Sequence, residues 1–172
     1  MSGLHYKILI SDVDGVMNDG KLFIGPDGEE PYKNFNVKDG MGIKLLQKAD
    51  VIFAVISGRG SRPLQGRMDQ LGVQELHMRI SNKEVILREI LDRYNLRPNQ
   101  AVYIGDDVND LVIQKFIKAG GGLFCCPKDA VPQILECSDL ILTRPGGEGV
   151  LRELIDRLIE NDLPIFPKNS QV

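Results

Sequence analysis

Residues 6–16 read Tyr-Lys-Ile-Leu-Ile-Ser-Asp-Val-Asp-Gly-Val, a short apolar run that ends on two carboxylates one residue apart and then a glycine. The run Tyr6 to Ser11 has the length and composition of a strand, and the same figure recurs along the chain. Apolar runs stand at Val51 to Ser57, Ala101 to Ile104, Gly122 to Cys126 and Leu140 to Thr143. Several are apolar on both faces, as strands buried between two helix layers must be. Segments of helical period lie between them, at Gly40 to Lys48, Ser61 to Leu71, Asn82 to Tyr94, Asp107 to Ala119, Ala130 to Cys137 and Gly149 to Asn161. This alternation predicts an α/β fold with a doubly wound, mostly parallel sheet.

One stretch breaks the alternation. Lys21 to Ile24 and Glu30 to Val37 have strand character and flank Gly25-Pro26-Asp27-Gly28, four strong turn formers. A β-hairpin inserted over 16–37 is expected, either extending the sheet or overhanging the crevice where open α/β sheets bind ligands. The 172 residues suit one domain over 1–172, with a loose tail at 163–172.

Composition excludes several classes of function. Lys and Arg number 21 against 24 Asp and Glu, a net charge of −3, so no general attraction for nucleic acid or an anionic membrane is expected. The chain has no Trp for a base-stacking surface. No apolar run approaches the ~18 residues of a membrane span. Three cysteines, two of them the neighbours Cys125 and Cys126, make a poor disulfide framework and read as small buried apolar residues. Met1 to Lys7 lacks the regions of a secretory signal, so a reduced, cytoplasmic protein is expected.

Four features fall at strand ends or helix starts. Asp12 and Asp14 close the first run; two adjacent acids repel unless a cation or a shared proton relieves them, or unless both stand solvated on a loop. Ser57-Gly58-Arg59 closes the second run, and a hydroxyl before a glycine suits a phosphate oxygen or a plain strand-to-helix turn. Lys83 stands just inside a helix start. Gly105-Asp106-Asp107-Val108-Asn109-Asp110 follows the run at 101–104, and its acids suit either a helix dipole or a hard cation such as Mg²⁺. The order acid pair, hydroxyl, lysine, acid cluster is far more specific than any member.

In that order the chain resembles the haloacid-dehalogenase-type phosphatases, whose fold is Rossmann-like, and the match covers nearly the whole sequence. More narrowly, Asp19-Gly20, Phe35 to Gly40, Ser57-Gly58-Arg59 and Gly146-Gly147-Glu148-Gly149 resemble the capless branch that dephosphorylates 3-deoxy-D-manno-octulosonate 8-phosphate (KDO 8-phosphate). The resemblance implies that Asp12 attacks phosphorus to form an aspartyl-phosphate and that Asp14 serves as acid and then base. It implies Mg²⁺ on the Asp12 carboxylate, the Asp14 backbone carbonyl and Asp106, with Asp107 and Asp110 in support. Ser57 and Lys83 would hold the phosphoryl oxygens. Arg59 would meet the sugar-acid carboxylate, and Gly58, Asn36, Lys33 and Arg67 are further candidates for substrate contact. A homotetramer assembled through the hairpins, and a place in lipopolysaccharide precursor synthesis, are implied as well.

Three stretches depart from that pattern, one of them Cys125-Cys126 where small apolar residues are usual. Pro31-Tyr32 adds a residue to the returning hairpin strand, which would turn Lys33 to the opposite face unless a bulge absorbs it. Met78-Arg79 stands where Gln-Gly is common before the motif lysine. Two other readings compete: a sister phosphatase for a nine-carbon sugar acid 9-phosphate, disfavoured by Arg59, and a phosphoacceptor signalling domain, in which an acid pair, Ser or Thr, Lys and Mg²⁺ also meet. The signalling reading is disfavoured by the position of the acid pair on the first strand and by the hairpin.

Overall fold

A computed structural model describes residues 4–165. Six parallel strands form one sheet: β1 (Ile8–Ser11), β2 (Ile52–Ile56), β3 (Glu75–His77), β4 (Ala101–Ile104), β5 (Leu123–Cys126) and β6 (Leu140–Ile141). Their order across the sheet is β3-β2-β1-β4-β5-β6. The helices are α1 (Val37–Lys48), α2 (Arg62–Leu71), α3 (Lys83–Arg93), α4 (Leu111–Ala119), α5 (Pro132–Cys137) and α6 (Val150–Ile159). Among the described residues no helix is long and apolar enough to cross a membrane.

Strand alternation sorts the core into two layers. Leu9, Val55, Val102, Ile104 and Cys125 face α1, α2 and α6 through Ile43, Leu46, Met68 and Leu154. Ile8, Ile10, Ala54, Ile56, Tyr103 and Phe124 face α3, α4 and α5 through Leu87, Ile90, Ile113 and Ile134. Both faces of the central strands are therefore covered, and their apolar runs need no polar side. The order of connection reverses between β1 and β4, the place where such sheets open a crevice at their carboxyl ends. Ser11 is in register with Val55 and with Ile104, so the chain leaves β1, β2 and β4 at one level.

Several boundaries differ from expectation. β3 was not anticipated: three residues at a sheet edge are too few to show alternation, and Glu75 within it looks like a loop residue. Its carboxylate is buried because Arg93 Nη1, at 2.7 Å from both oxygens, and Tyr94 Oη, at 2.8 Å, donate to it. The hairpin contracts to a single antiparallel bridge between Phe23 and Tyr32, with the tip closed by Gly25 N–H donating to Glu29 O at 2.8 Å. Pro31 has no N–H to extend a ladder. The expected strand Glu30 to Val37 does not form; Asn36 instead caps α1 by accepting from Lys38 N at 2.9 Å. The strand expected to reach Thr143 stops at Ile141, and the Thr143 N–H and hydroxyl turn to the Glu153 carboxylate. Of the tail expected at 163–172, Leu163 is buried in the core, while residues 166–172 lie outside the described residues.

Candidate active site

Asp12 is the first residue past β1, 5% exposed, with its N–H still donating to Ile104 O at 3.0 Å. Its Oδ1 accepts from Val13 N at 2.7 Å, and its Oδ2 lies 2.6 Å from Lys83 Nζ. Lys83 reaches it from the first turn of α3, where Asn82 caps the helix by accepting from Val85 N. The same Nζ stands 2.8 Å from Asp110 Oδ1, which also accepts from Tyr103 Oη at 2.7 Å, and Asp110 Oδ2 accepts from Asp106 N at 3.2 Å. Asp110 is thus fully committed to holding Lys83, Tyr103 and the Asp106 backbone. Asp106 differs: its buried Oδ1 has no hydrogen-bond partner among the described residues. A side chain at Gly15, whose φ is +82°, would run into the Asp106 carboxylate, so only glycine permits the two loops to meet so closely.

The electrostatics follow from this crowding. Asp12, Asp106 and Asp110 each bring a carboxylate oxygen within 4.8 Å of the others, and one ammonium answers all three. Burial, then the charge of Asp110, pushes Asp12 up to about 7. Burial, then the charges of Asp12 and Asp110, pushes Asp106 up to about 8. Burial works against the Lys83 cation, but Asp110 and Asp12 outweigh it and hold its pKa above the usual lysine value. With all three carboxylates ionised the group would carry two surplus negative charges, and that demand, with the unpartnered Asp106 oxygen, fits a hard divalent cation.

Asp14 lies on the open side, half-buried, its Oδ1 accepting from Lys33 Nζ at 2.5 Å and from Asn18 Nδ2 at 2.8 Å. Arg59 Nε stands 3.8 Å from its Oδ2. Lys33 therefore faces the site, with a side chain 2% exposed and a second contact to Glu30 Oε1 at 3.0 Å; the added hairpin residue has not turned it away. Ser57 is buried at the end of β2, its Oγ accepting from Arg59 N at 3.2 Å. Asp12, Asp14, Ser57, Gly58, Arg59 and Asp106 line one cavity of about 210 Å³, and Asp107 and Asn109 lie on its rim. A cavity of about 360 Å³ at the far end of the sheet, lined by Ile52, Phe53, Val73 and Tyr94, lies away from these groups.

The remaining expected residues make their polar contacts to groups other than the clustered acids. Asn36 donates from Nδ2 to Gly147 O at 3.2 Å, tying α1 to the segment before α6. Arg67 lies along α2, against Gly40, with Nη1 at 3.4 Å from Gln70 Oε1. Asp107 is exposed and caps the turn at Val108. Gly146 and Gly147 pack on the backbone of Gly15 and Asn18, with Gly147 N donating to Val16 O at 2.9 Å; a side chain at either glycine would collide with that loop. Two groups of the site were not anticipated. Asn18 is buried and folds the loop by accepting from Gly15 N and Gly20 N while it holds Asp14. Tyr103 was visible only as part of a strand. A strand-end glycine-rich turn around Asn18 was the available signal for the first, and nothing local marked the second.

The arrangement has known parallels, although no family model matches the chain. A 3-deoxy-D-manno-octulosonate 8-phosphate phosphatase of Yersinia pestis is 38% identical over 153 residues, covering 89% of this chain and 79% of that protein. The cobalt-bound deoxy-D-mannose-octulosonate 8-phosphate phosphatase of Haemophilus influenzae superposes with a TM-score of 0.85 at 35% identity, over 91% of this chain and 89% of that one. The 3-deoxy-D-manno-octulosonate 8-phosphate phosphatase of Moraxella catarrhalis, solved with magnesium, phosphate and KDO, superposes with a TM-score of 0.84 at 29% identity, over 91% of this chain and 87% of that one.

Proposed function

Because the chain belongs to the 3-deoxy-D-manno-octulosonate 8-phosphate phosphatase family of the haloacid dehalogenase superfamily, we propose that it hydrolyses KDO 8-phosphate to KDO and inorganic phosphate with Mg²⁺ as its cofactor. The observation that carries the reading is the buried Asp12, held by Lys83 beside an Asp106 oxygen that no group among the described residues satisfies. Asp12 and Asp106 carboxylates, with the Asp14 backbone carbonyl, would hold the cation. Bound there, Mg²⁺ supplies positive charge that offsets repulsion between the phosphate dianion and the carboxylates.

The chain's own residues then divide the chemistry. An Asp12 oxygen attacks phosphorus as the ester bond to the sugar oxygen breaks, giving an aspartyl-phosphate. Asp14, on the open side, delivers the proton that the departing sugar oxygen takes up. It next accepts a proton from the water that attacks phosphorus and frees Asp12. Lys83 and Ser57 hold the transferred phosphoryl oxygens, and Asp110 and Tyr103 keep the lysine aimed. Arg59, exposed at the mouth, offers a planar fork to the sugar-acid carboxylate.

The proposal extends to a cytoplasmic homotetramer acting in lipopolysaccharide precursor synthesis. Three free cysteines suit a reducing compartment. Leu22, Phe23, Ile24 and Tyr32 are exposed together on the hairpin, an apolar patch of the kind that subunit contacts cover. The test is phosphate release from a panel of sugar phosphates with Mg²⁺ and with EDTA. Selective, Mg²⁺-dependent release from KDO 8-phosphate is expected, and preference for a nine-carbon sugar acid 9-phosphate would overturn the substrate.

A further inference from the structure

The connection from β5 to α5, over 127–131, touches two parts of the site at once. Val131, the N-cap of α5, donates its N–H to Asp106 O at 2.9 Å. Two residues earlier, Asp129 Oδ1 accepts from Gly146 N at 2.9 Å, and Lys128 N donates to Arg144 O at 3.2 Å. The strap over 144–147 is thereby fastened to the same short segment that holds the Asp106 backbone. Gly146 in turn lies on the backbone of Gly15, and Gly147 N donates to Val16 O at 2.9 Å. Gly15 closes the circuit, because a side chain there would meet the Asp106 carboxylate.

Each link of this ring bears on where Asp106 holds its carboxylate. Val131 fixes its backbone, Gly15 confines its side chain, and Gly146 presses on Gly15. Asp129 joins the first of these to the last through its side chain, and the residue is otherwise exposed. Its removal therefore takes away little packing, yet it frees the strap from the segment behind Asp106. The Asp106 Oδ1, without a partner among the described residues, has no other hydrogen bond to keep its direction. Mg²⁺ takes oxygen donors at about 2.0–2.1 Å in a nearly ideal octahedron, so its binding is sensitive to that direction, whereas Ca²⁺ accepts looser and more varied geometry.

We propose that Asp129 is a positioning residue, which through Gly146 and Gly15 fixes the direction of the Asp106 carboxylate for Mg²⁺. The inference rests on the reading of Asp12 and Asp106 as cation ligands. Its test measures Kd for Mg²⁺ and for Ca²⁺ by titration calorimetry in the wild type, Asp129→Ala and Asp129→Asn. Asparagine keeps a carbonyl acceptor for Gly146 N, and alanine does not. Kd for Mg²⁺ should rise about tenfold in Asp129→Ala, as when a group behind a metal ligand is removed, and stay near the wild-type value in Asp129→Asn. Kd for Ca²⁺ should rise by less than about threefold. The Mg²⁺ concentration that gives half-maximal phosphate release should follow Kd for Mg²⁺. An unchanged Kd for Mg²⁺ in Asp129→Ala overturns the inference, and so does an equal rise for both cations, since a general loosening would weaken both. If metal-free Asp129→Ala does not melt cooperatively, Asp129→Glu, which displaces the acceptor by one methylene, serves for the same comparison. Absence of Mg²⁺ binding by the wild type overturns the cation-site reading, and this inference with it.

Discussion

Lys83 and Asp12 form an ion pair of 2.6 Å with both side chains buried, and the same ammonium stands 2.8 Å from Asp110. One cation thus keeps two buried carboxylates together at the end of the central strand. Replacing a member of such a group leaves uncompensated charge where water cannot reach it. Lys83→Met preserves length and removes the charge, and it should cost ~3 kcal/mol in urea unfolding at neutral pH. A loss below ~1 kcal/mol would mean that the acids take up protons at little cost.

Asp12→Asn keeps the shape of the proposed nucleophile and removes one of the crowded negative charges. Its melting temperature should match or exceed that of the wild type, since burial and then the like charge of Asp110 oppose ionisation of Asp12. Phosphate release should fall by about 10⁴-fold or more, as when a nucleophile is deleted elsewhere. Substantial turnover in this variant would refute covalent catalysis at this position.

Asp106 should make the metal visible without any assay of turnover. Mg²⁺ at about 100 times its Kd stabilises a protein that binds it only when folded by ~2.7 kcal/mol. Thermal melting of the wild type should show this gain, and Asp106→Asn should lose most of it. EDTA should abolish phosphate release and added Mg²⁺ restore it. Equal Mg²⁺ stabilisation of variant and wild type would remove Asp106 from the cation site.

Asp39 offers a pH test far from the phosphate chemistry. It is buried on α1, accepts from Arg152 N at 2.8 Å, and leaves its other oxygen without a partner among the described residues. Burial, partly offset by that hydrogen bond, pushes its carboxyl up to about 6. Because the folded-state value lies above the unfolded one, the native state favours the protonated form. The contribution is full below the ordinary carboxylate range and declines as pH rises through about 6. Asp39→Asn keeps the acceptor and loses the charge, so it should be more stable than the wild type above that pH by on the order of 1–2 kcal/mol. Melting temperatures of both proteins between about pH 4 and 8 should diverge with rising pH. A gap that stays constant would exclude Asp39 as the source.

The parts legible in the sequence are those whose position along a strand or helix decides their place. Asp12, Ser57 and Asp106 each follow an apolar run, and parallel strands in register bring such residues to one edge. Lys83 begins a helix whose start lies on the same side. What the sequence concealed depends on pairing across distance. The facing of Lys33 is decided by a bridge at Phe23 and Tyr32 rather than by counting residues. β3 pairs with β2, and Arg93 and Tyr94, from α3 and its cap, cover the Glu75 carboxylate that this pairing buries. Asn18 and Tyr103 are polar groups whose worth lies in partners that only the folded chain supplies.

The contact of Gly146 and Gly147 with the loop of Gly15 and Asn18 also orders events in time. Asn36 and Gly147 are 111 residues apart in sequence, and Asp39 and Arg152 are 113 apart. The loop that carries the acid pair therefore emerges from the ribosome long before the glycines on which it rests. Contacts of such long range close late, and parallel sheets assemble slowly for the same reason. Through most of synthesis the nascent chain holds both acids with no finished phosphate pocket around them. The pocket is complete only where α6 packs on α1 and brings Gly146 and Gly147 against the loop.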